Sequence, residues 1–477
     1  MLLRLLASLR NERGSALVAV LGLFAVAIIL TTLIASSVVS GLGWSTSTRA
    51  SVESHAAADA GIVAARTGLF TVGNCQTQST SGKYVSTTSP VYTVTVERND
   101  GAGWVMGCPT SITSQVRITS TGTATAKGAA GVSSGDVTKV QAVLQFLQPG
   151  VDPSGVAIYV NGNFSIGPNS SFDLSEGGNT GLIVKNGTFV CDKNNSVING
   201  SIVVLGDLTF INKCNVTGNA KVTGTATLGV GRIDGDLTAG SVSPADPKAT
   251  NQVGGIYTQS AVVPPSPDWV NLTYKPTDWV TSAGTPFEVR DMTTTGGCML
   301  TSGNLGAAAA SGSLILNALG CPDGPTINQN TNIKLTSDVV IFANKYTWPA
   351  SNSLSFSSSS TAGHRLWLIT PDNGPAGDKA PTCDPVTQGN WEIKNSVTIA
   401  APISAMLYTP CGFSAKNNFV WNGQIYAGGP SDAMNNPKFT FVPMGAAGVD
   451  FDTSTPTTII TKPQPGAVVI QRDLSLG

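Results

Sequence analysis

Histidine is nearly missing from this chain, with only His55 and His364 among 477 residues. Charge is scarce too: 12% of residues are Asp, Glu, Lys or Arg, and the net charge is −1. No basic field is present to hold nucleic acid or an anionic membrane surface. A Ser–His–Asp machinery would have to use His364, because His55 follows directly on the apolar N-terminal stretch. The neighbours of His364, Thr361 to Arg365, read as a surface turn entering a strand. No HExxH, phosphate-binding GxxxxGK[ST] or EF-hand loop is present, and no CxxC pair offers the clustered ligands of a zinc site. No catalytic residue, metal or cofactor is therefore expected.

Three weaker signals have bland counterparts. Gly131-Val-Ser-Ser-Gly135 matches GxSxG, but a nucleophile elbow needs a strand–turn–helix setting, and this run lies in a low-complexity loop between strands. Asp234 with Asp236, and Asp450 with Asp452, are each two apart and would share a strand face, as in carboxylate pairs of β-helix glycan enzymes. Carboxylates at turns more commonly cap backbone amides. Asp372 and Asp378 offer oxygens for calcium in a loop without the dense ligand alternation of a dedicated site. A membrane-anchored β-helix enzyme acting on polysaccharide is the alternative that these signals leave open.

What the chain does have is concentrated at its start. The basic leader MLLRLLASLRNERG runs straight into an apolar stretch, and no charged side chain lies between Gly14 and Thr48. As a helix, the run from about Ala16 to Val39 would cover roughly 36 Å, enough to cross a bilayer. Arg4, Arg10 and Arg13 against Glu12 place the N-terminus in the cytoplasm and the rest outside, a single-pass topology.

A basic leader abutting a glycine resembles the class III signal of type IV pilins. The run SVESHAAADAGIVAARTGL resembles the AAEAG-type helix of the PilX and GspK minor pilins, with Ala57, Ala58, Asp59, Ala60 and Gly61 on the motif. The resemblance covers about residues 10 to 70. It implies cutting between Gly14 and Ser15 by a prepilin peptidase, and partnership with other pilins and pilus assembly proteins. It further implies residence in the cytoplasmic membrane, then at the cell surface or in the pilus after processing. Major pilins carry glutamate at the fifth mature position, where this chain has Ala19; the departure favours a minor component. An uncleaved anchor, as in a Tad-type assembly protein, is the other reading.

Gly, Ser, Thr and Asn are abundant after residue 70, which suits short strands and tight turns. The eight cysteines are Cys75, Cys108, Cys191, Cys214, Cys298, Cys321, Cys383 and Cys411. An even count outside the membrane reads as disulfides, although eight cysteines allow 105 connectivities. Pairing of sequence neighbours (75–108, 191–214, 298–321 and 383–411) is the expectation.

The fold class expected is mainly β, with one long N-terminal transmembrane helix, a pilin-like α+β headgroup and a β-helix or solenoid. After the leader 1–14, the helix covers 15–67 and the headgroup 68–148. Strands over Val91–Glu97, Gln115–Thr121 and Val137–Phe146 alternate with a two-residue period. A solenoid follows over 149–244, where the turn glycines Gly162, Gly187, Gly206 and Gly224 recur at intervals of 25, 19 and 18 residues. A plain β-sandwich is the competing architecture. Residues 245–290 read as a proline-rich extended excursion rather than core. Within it, Trp269 and Trp279 either form a stacking platform for a glycan or pin the excursion down. The solenoid resumes over 291–430, with strand signals at Ile333–Phe342, Arg365–Thr370, Trp391–Ile399, Ile403–Leu407 and Phe419–Tyr426. The run ending in GQIYAGG resembles the last coils of pilus-associated proteins. A C-terminal β tail covers 431–477. Together these imply a non-enzymatic minor pilin or pilus-associated surface protein that primes or caps a type IV pilus. Its solenoid would be adhesive and take a surface or glycan ligand.

Overall fold

A computed structural model describes residues 15–70, 83–101, 103–110, 113–125, 137–147, 149–151, 153–175, 181–192, 195–292, 297–301, 305, 312–327, 330–348, 353–359, 361, 363–375, 377–433, 435–456 and 464–474. The chain divides into two compact units. One comprises residues 1–148 and 462–477, the other residues 149–461.

The first unit is built on one helix, α1 (Ser15–Phe70). Its first half is exposed and apolar. From Ala50 onward a stripe with helical period turns inward: Ala50, Ser54, Ala57, Ala58, Ile62, Ala65 and Leu69. The stripe packs on an antiparallel sheet formed by β1 (Lys83–Ser86), β2 (Val91–Asn99), β3 (Trp104–Met106), β4 (Gln115–Thr123) and β5 (Val137–Leu147). β4 alternates strictly, so that Val116, Ile118 and Ser120 face inward while Arg117 and Thr119 stay partly exposed.

Gly122 shows why small residues line both sides. A Cβ there would lie 2.1 Å from the Ser54 carbonyl oxygen and 2.3 Å from the Ala58 nitrogen. The AAxAG run read from the sequence is thus a packing surface: Ala57, Ala58 and Gly61 are buried against the sheet. The chain's last strand, Gln464–Leu474, pairs antiparallel with β5, with Gln464 opposite Leu147. The expected 431–477 tail is therefore divided. Its end belongs to the headgroup, whereas Ser431–Ala433 and Lys438–Phe441 are solenoid strands.

The second unit is a parallel β-solenoid. Among the described residues, 27 strands join one continuous ladder. Three short strands separated by turns make one coil: Ile158–Val160, Phe164–Ile166 and Ser171–Asp173 form the first. Directly above it lies the coil Leu182–Val184, Phe189–Cys191 and Ser196–Asn199. Inward residues stack coil on coil, for example Phe164 on Phe189 with centroids 5.7 Å apart. The turn glycines stack as well. A Cβ on Gly206 would meet the Gly187 carbonyl oxygen at 2.2 Å, and one on Gly224 would meet the Gly206 carbonyl oxygen at 2.8 Å. The Thr-Gly at 223–224 is not a turn between two strands, as its motif suggests, but a register shift inside one strand, Ala220–Thr227. Conversely, Ile333–Phe342 and Trp391–Ile399 each break in two, at turns around Ser337 and Asn395.

The order of stacking is not the order of the chain. The first coil also pairs, on its other side, with the last: Tyr426 opposite Tyr159, Asp432 opposite Ser165 and Phe439 opposite Phe172. From that middle position the chain winds outward to one end at Tyr257–Gln259. It then restarts at the opposite end with Glu288–Asp291 and winds back to the first coil.

A return segment, residues 260–287, connects the two ends. About eleven strand spacings of ~4.8 Å separate the ends, or roughly 53 Å, within reach of an extended segment of that length at ~3.3 Å per residue. The segment is extended, as its prolines require, but it is also core. Trp269, Val270, Leu272, Trp279 and Phe287 bury a second apolar layer against outward-facing Tyr159, Phe342, Trp367, Tyr408 and Tyr426. The solenoid strands beneath it are therefore buried on both faces, which is why IYV, LIV, IVV and VVIF lack alternation.

Candidate functional site

Helix α1 is long and apolar enough to cross a membrane. Its exposed side chains run from Leu17 to Val39, and Trp44, 80% exposed, follows just before Arg49. An indole next to the first cation suits the boundary between hydrocarbon and water. Gly14 and the leader 1–14 lie outside the described residues; Ser15 is the first residue of the helix. Ala19 is exposed on the apolar half.

The carboxylates singled out in the sequence are engaged in structure. Asp236 accepts a hydrogen bond from the Ile256 amide at 2.7 Å, and Asp452 accepts from the Gly155 amide at 2.9 Å. Asp450 accepts from the Asp452 amide and from the Thr453 hydroxyl. Asp234 pairs with Arg232 and accepts from Asn215; the Arg232 hydrogen bond is the chief cause holding it below the usual carboxylate range. Each acts as a turn cap or an ion-pair partner.

Asp372 is fully buried, and that burial raises its pKa. It accepts from the Trp269 indole Nε1 at 2.7 Å and from the amides of Gly374 and Thr382. Asp378 accepts from the Asn271 side chain at 2.8 Å. The two residues considered for calcium instead fasten the return segment. Among the described residues, no group of three or more His, Cys, Asp or Glu is placed to hold a metal.

His364 begins the strand His364–Ile369, and its Nε2 is buried without a hydrogen-bond partner. The GxSxG run at 131–135 lies outside the described residues. Trp269 and Trp279 are 2% and 1% exposed, so neither offers a ring face to a glycan. They pin the return segment.

Disulfides join Cys191 to Cys214, Cys298 to Cys321 and Cys383 to Cys411. The first lies inside the solenoid and staples successive coils. The third ties the 371–389 loop, which carries Asp372 and Asp378, to the solenoid wall. Cys108 packs partly buried against the headgroup core, and Cys75 lies outside the described residues.

One open groove crosses the seam between the first and last coils. It encloses about 450 Å³ and is lined by Asn163, Ser165, Thr188, Glu392, Ser414, Lys416 and Asp432, among others. Sequence reasoning missed it, because strands far apart in the chain form it. The only signal was a repeated x-polar-x centre in short strands such as FSI, FSA and SDA.

No family model matches the sequence, and no curated protein matches it. Among solved structures, the competence-associated pilin ComZ from Thermus thermophilus is similar at 12% identity and a TM-score of 0.25, a match covering 89% of this chain and 98% of that one. A likeness of that size carries no argument about function.

Proposed function

We propose that this chain is a non-enzymatic minor pilin or pilus-associated surface protein that displays a disulfide-stapled solenoid. One observation carries the reading. A single helix is exposed and apolar over its first half and packs its second half, through small residues, on an antiparallel sheet. An exposed apolar half has no use in water; it needs lipid or the apolar core of a helical assembly. In this reading the basic leader stays in the cytoplasm, a prepilin peptidase cuts between Gly14 and Ser15, and the helix passes from membrane to filament.

Ala19 supports a position at the tip. A carboxylate at the fifth mature position would pair with the terminal ammonium of a neighbouring subunit, and an unpaired buried charge costs several kcal/mol. A subunit lacking that carboxylate is best tolerated where nothing stacks above it. A solenoid spanning 149–461 on every subunit would also crowd a narrow fibre.

The test is N-terminal sequencing of membrane-purified protein, combined with immunogold labelling of sheared pili. A mature chain beginning at Ser15 and label at fibre ends are expected. A chain still beginning at Met1, or label along the whole shaft at the stoichiometry of a major subunit, overturns the reading.

A further inference from the structure

The groove across the seam has a composition unlike that of the covered face beside it. Five parallel strands lay its floor in the order Trp391–Ile393, Phe413–Ala415, Ser431–Ala433, Phe164–Ile166 and Phe189–Cys191. The outward residues at their centres are Glu392, Ser414, Asp432, Ser165 and Val190, each directly opposite the next. Most are short and polar, while Asn163, Thr188 and Asn390 stand along one rim and Lys416 along the other.

Its charges are already neutralised. Lys416 Nζ lies 3.0 Å from Asp432, and Lys394 Nζ lies 3.0 Å from Glu392. The Ser414 hydroxyl donates to the other Asp432 oxygen at 2.8 Å. An anionic ligand therefore meets no uncompensated cation. An extended peptide meets no open strand edge, because every floor strand is paired on both sides, and the apolar lining, Val190 and Pro430 beside the buried rings of Phe164 and Phe413, forms no row of pockets for alternate side chains.

We infer that this groove binds a neutral, hydroxyl-rich, extended oligosaccharide lying along the solenoid axis. Five strands at ~4.8 Å give a floor about 19 Å long, room for about four pyranose rings end to end. Sugar hydroxyls both donate and accept, which matches a lining of serine, threonine and asparagine side chains with paired carboxylates between them. The groove exists only when the first and last coils meet. The inference rests on the solenoid being the displayed, ligand-binding part of the chain, but its test requires no filament and so stands or falls separately.

The experiment uses the full chain in detergent micelles, titrated calorimetrically with cellotetraose, chitotetraose, maltotetraose and a sulfated heparin-derived tetrasaccharide. At least one neutral tetrasaccharide binds, and its affinity changes less than twofold between low and high salt. Ser165→Arg, which fills the groove from an outward position, weakens it tenfold or more. The milder pair Ser165→Ala with Ser414→Ala weakens it severalfold, with the thermal melt unchanged. Thr398→Arg, outward on another face, leaves it unaltered. No neutral tetrasaccharide binding at millimolar concentration, preference for the sulfated one, or equal binding by Ser165→Arg overturns the inference.

Discussion

Gln424 Nε2 donates a hydrogen bond to the Ser154 carbonyl oxygen at 2.9 Å, tying the last coil to the residue that leads into the first. The same amide donates to Val156, and its Oε1 accepts from the backbone amides of Met444 and Gly445. Gln424 is fully buried and serves all four backbone groups. Gln424→Ala leaves the buried Met444 and Gly445 amides without this acceptor, and the half-buried Ser154 and Val156 carbonyls without this donor. At about 1–3 kcal/mol for each buried group left unpaired, and with partial relaxation, the loss is roughly 3–5 kcal/mol. Urea denaturation followed by tryptophan fluorescence checks it; a loss under 1 kcal/mol would mean the seam is held elsewhere.

The return segment is the second point of attack. Trp269→Ala removes a buried indole and leaves the buried Asp372 carboxylate with only the Gly374 and Thr382 amides as donors. Core truncations of this size cost about 3–5 kcal/mol. Release of the segment exposes residues 260–287 to protease, so limited proteolysis should cut there in the variant and spare the parent.

Two carboxylates give the solenoid opposite responses to acid. Asp372 has a raised pKa because of burial, so its contribution is present below the ordinary carboxylate value of about 4 and is lost as pH rises through the raised one. Asp268 has a lowered pKa, mainly through hydrogen bonds from Lys379 and then Lys185. Its contribution is present above about 4 and is lost as pH falls through the depressed value. Mild acidification from neutral pH therefore stabilises the docked return segment slightly, and stronger acid weakens it. Thermal melts across pH 7 to 2 should show the maximum, and Asp268→Asn should flatten the acid side. Asp268 is partly exposed, so its effect is small.

Gly122→Ala tests the headgroup. Its methyl would press on the backbone of α1 at Ser54 and Ala58, and backbone does not yield as a side chain does. A cost of about 1–3 kcal/mol is expected from overpacking. Hydrogen exchange over Ala50–Leu69 should accelerate in the variant; unchanged protection would show that helix and sheet separate freely.

The disulfides should open in order of access. Cys191 and Cys214 are 0% and 2% exposed, whereas Cys383 is exposed. Graded reduction with alkylation and mass spectrometry should label Cys383 and Cys411 first. Each bridge contributes about 3 kcal/mol by chain-entropy reasoning for loops of this length. Equal labelling of all pairs would refute the order.

Much of this was legible in the sequence, and the reasons differ by element. The helix announced itself through an uncharged run and a stripe of small residues. The headgroup strands did so through strict alternation, which a sheet covered on one face imposes. Solenoid coils showed in the spacing of Gly162, Gly187 and Gly206, because a turn glycine must recur once per coil. What stayed hidden was long-range. Nothing local in Tyr159 or Tyr426 says that they lie side by side, and the return segment's prolines conceal that Trp269 is core. The strands IYV and LIV did carry a clue, since apolar residues without alternation imply cover on both faces. The groove was the least visible, assembled from positions 165, 414 and 432.

Placing the first coil in the middle of the stack has a consequence for biosynthesis. Because first and last coils are neighbours, the solenoid's two chain ends emerge together, and the chain can leave the headgroup after β5 and rejoin it at Gln464. The strand Gln464–Leu474 is thus the last of the small sheet's strands to be synthesised. Until it arrives, β5 keeps a bare edge, and the small sheet waits on completion of everything between. Headgroup closure therefore follows synthesis of the whole solenoid, and a chain truncated between Leu147 and Gln464 would lack the strand that covers the edge of β5.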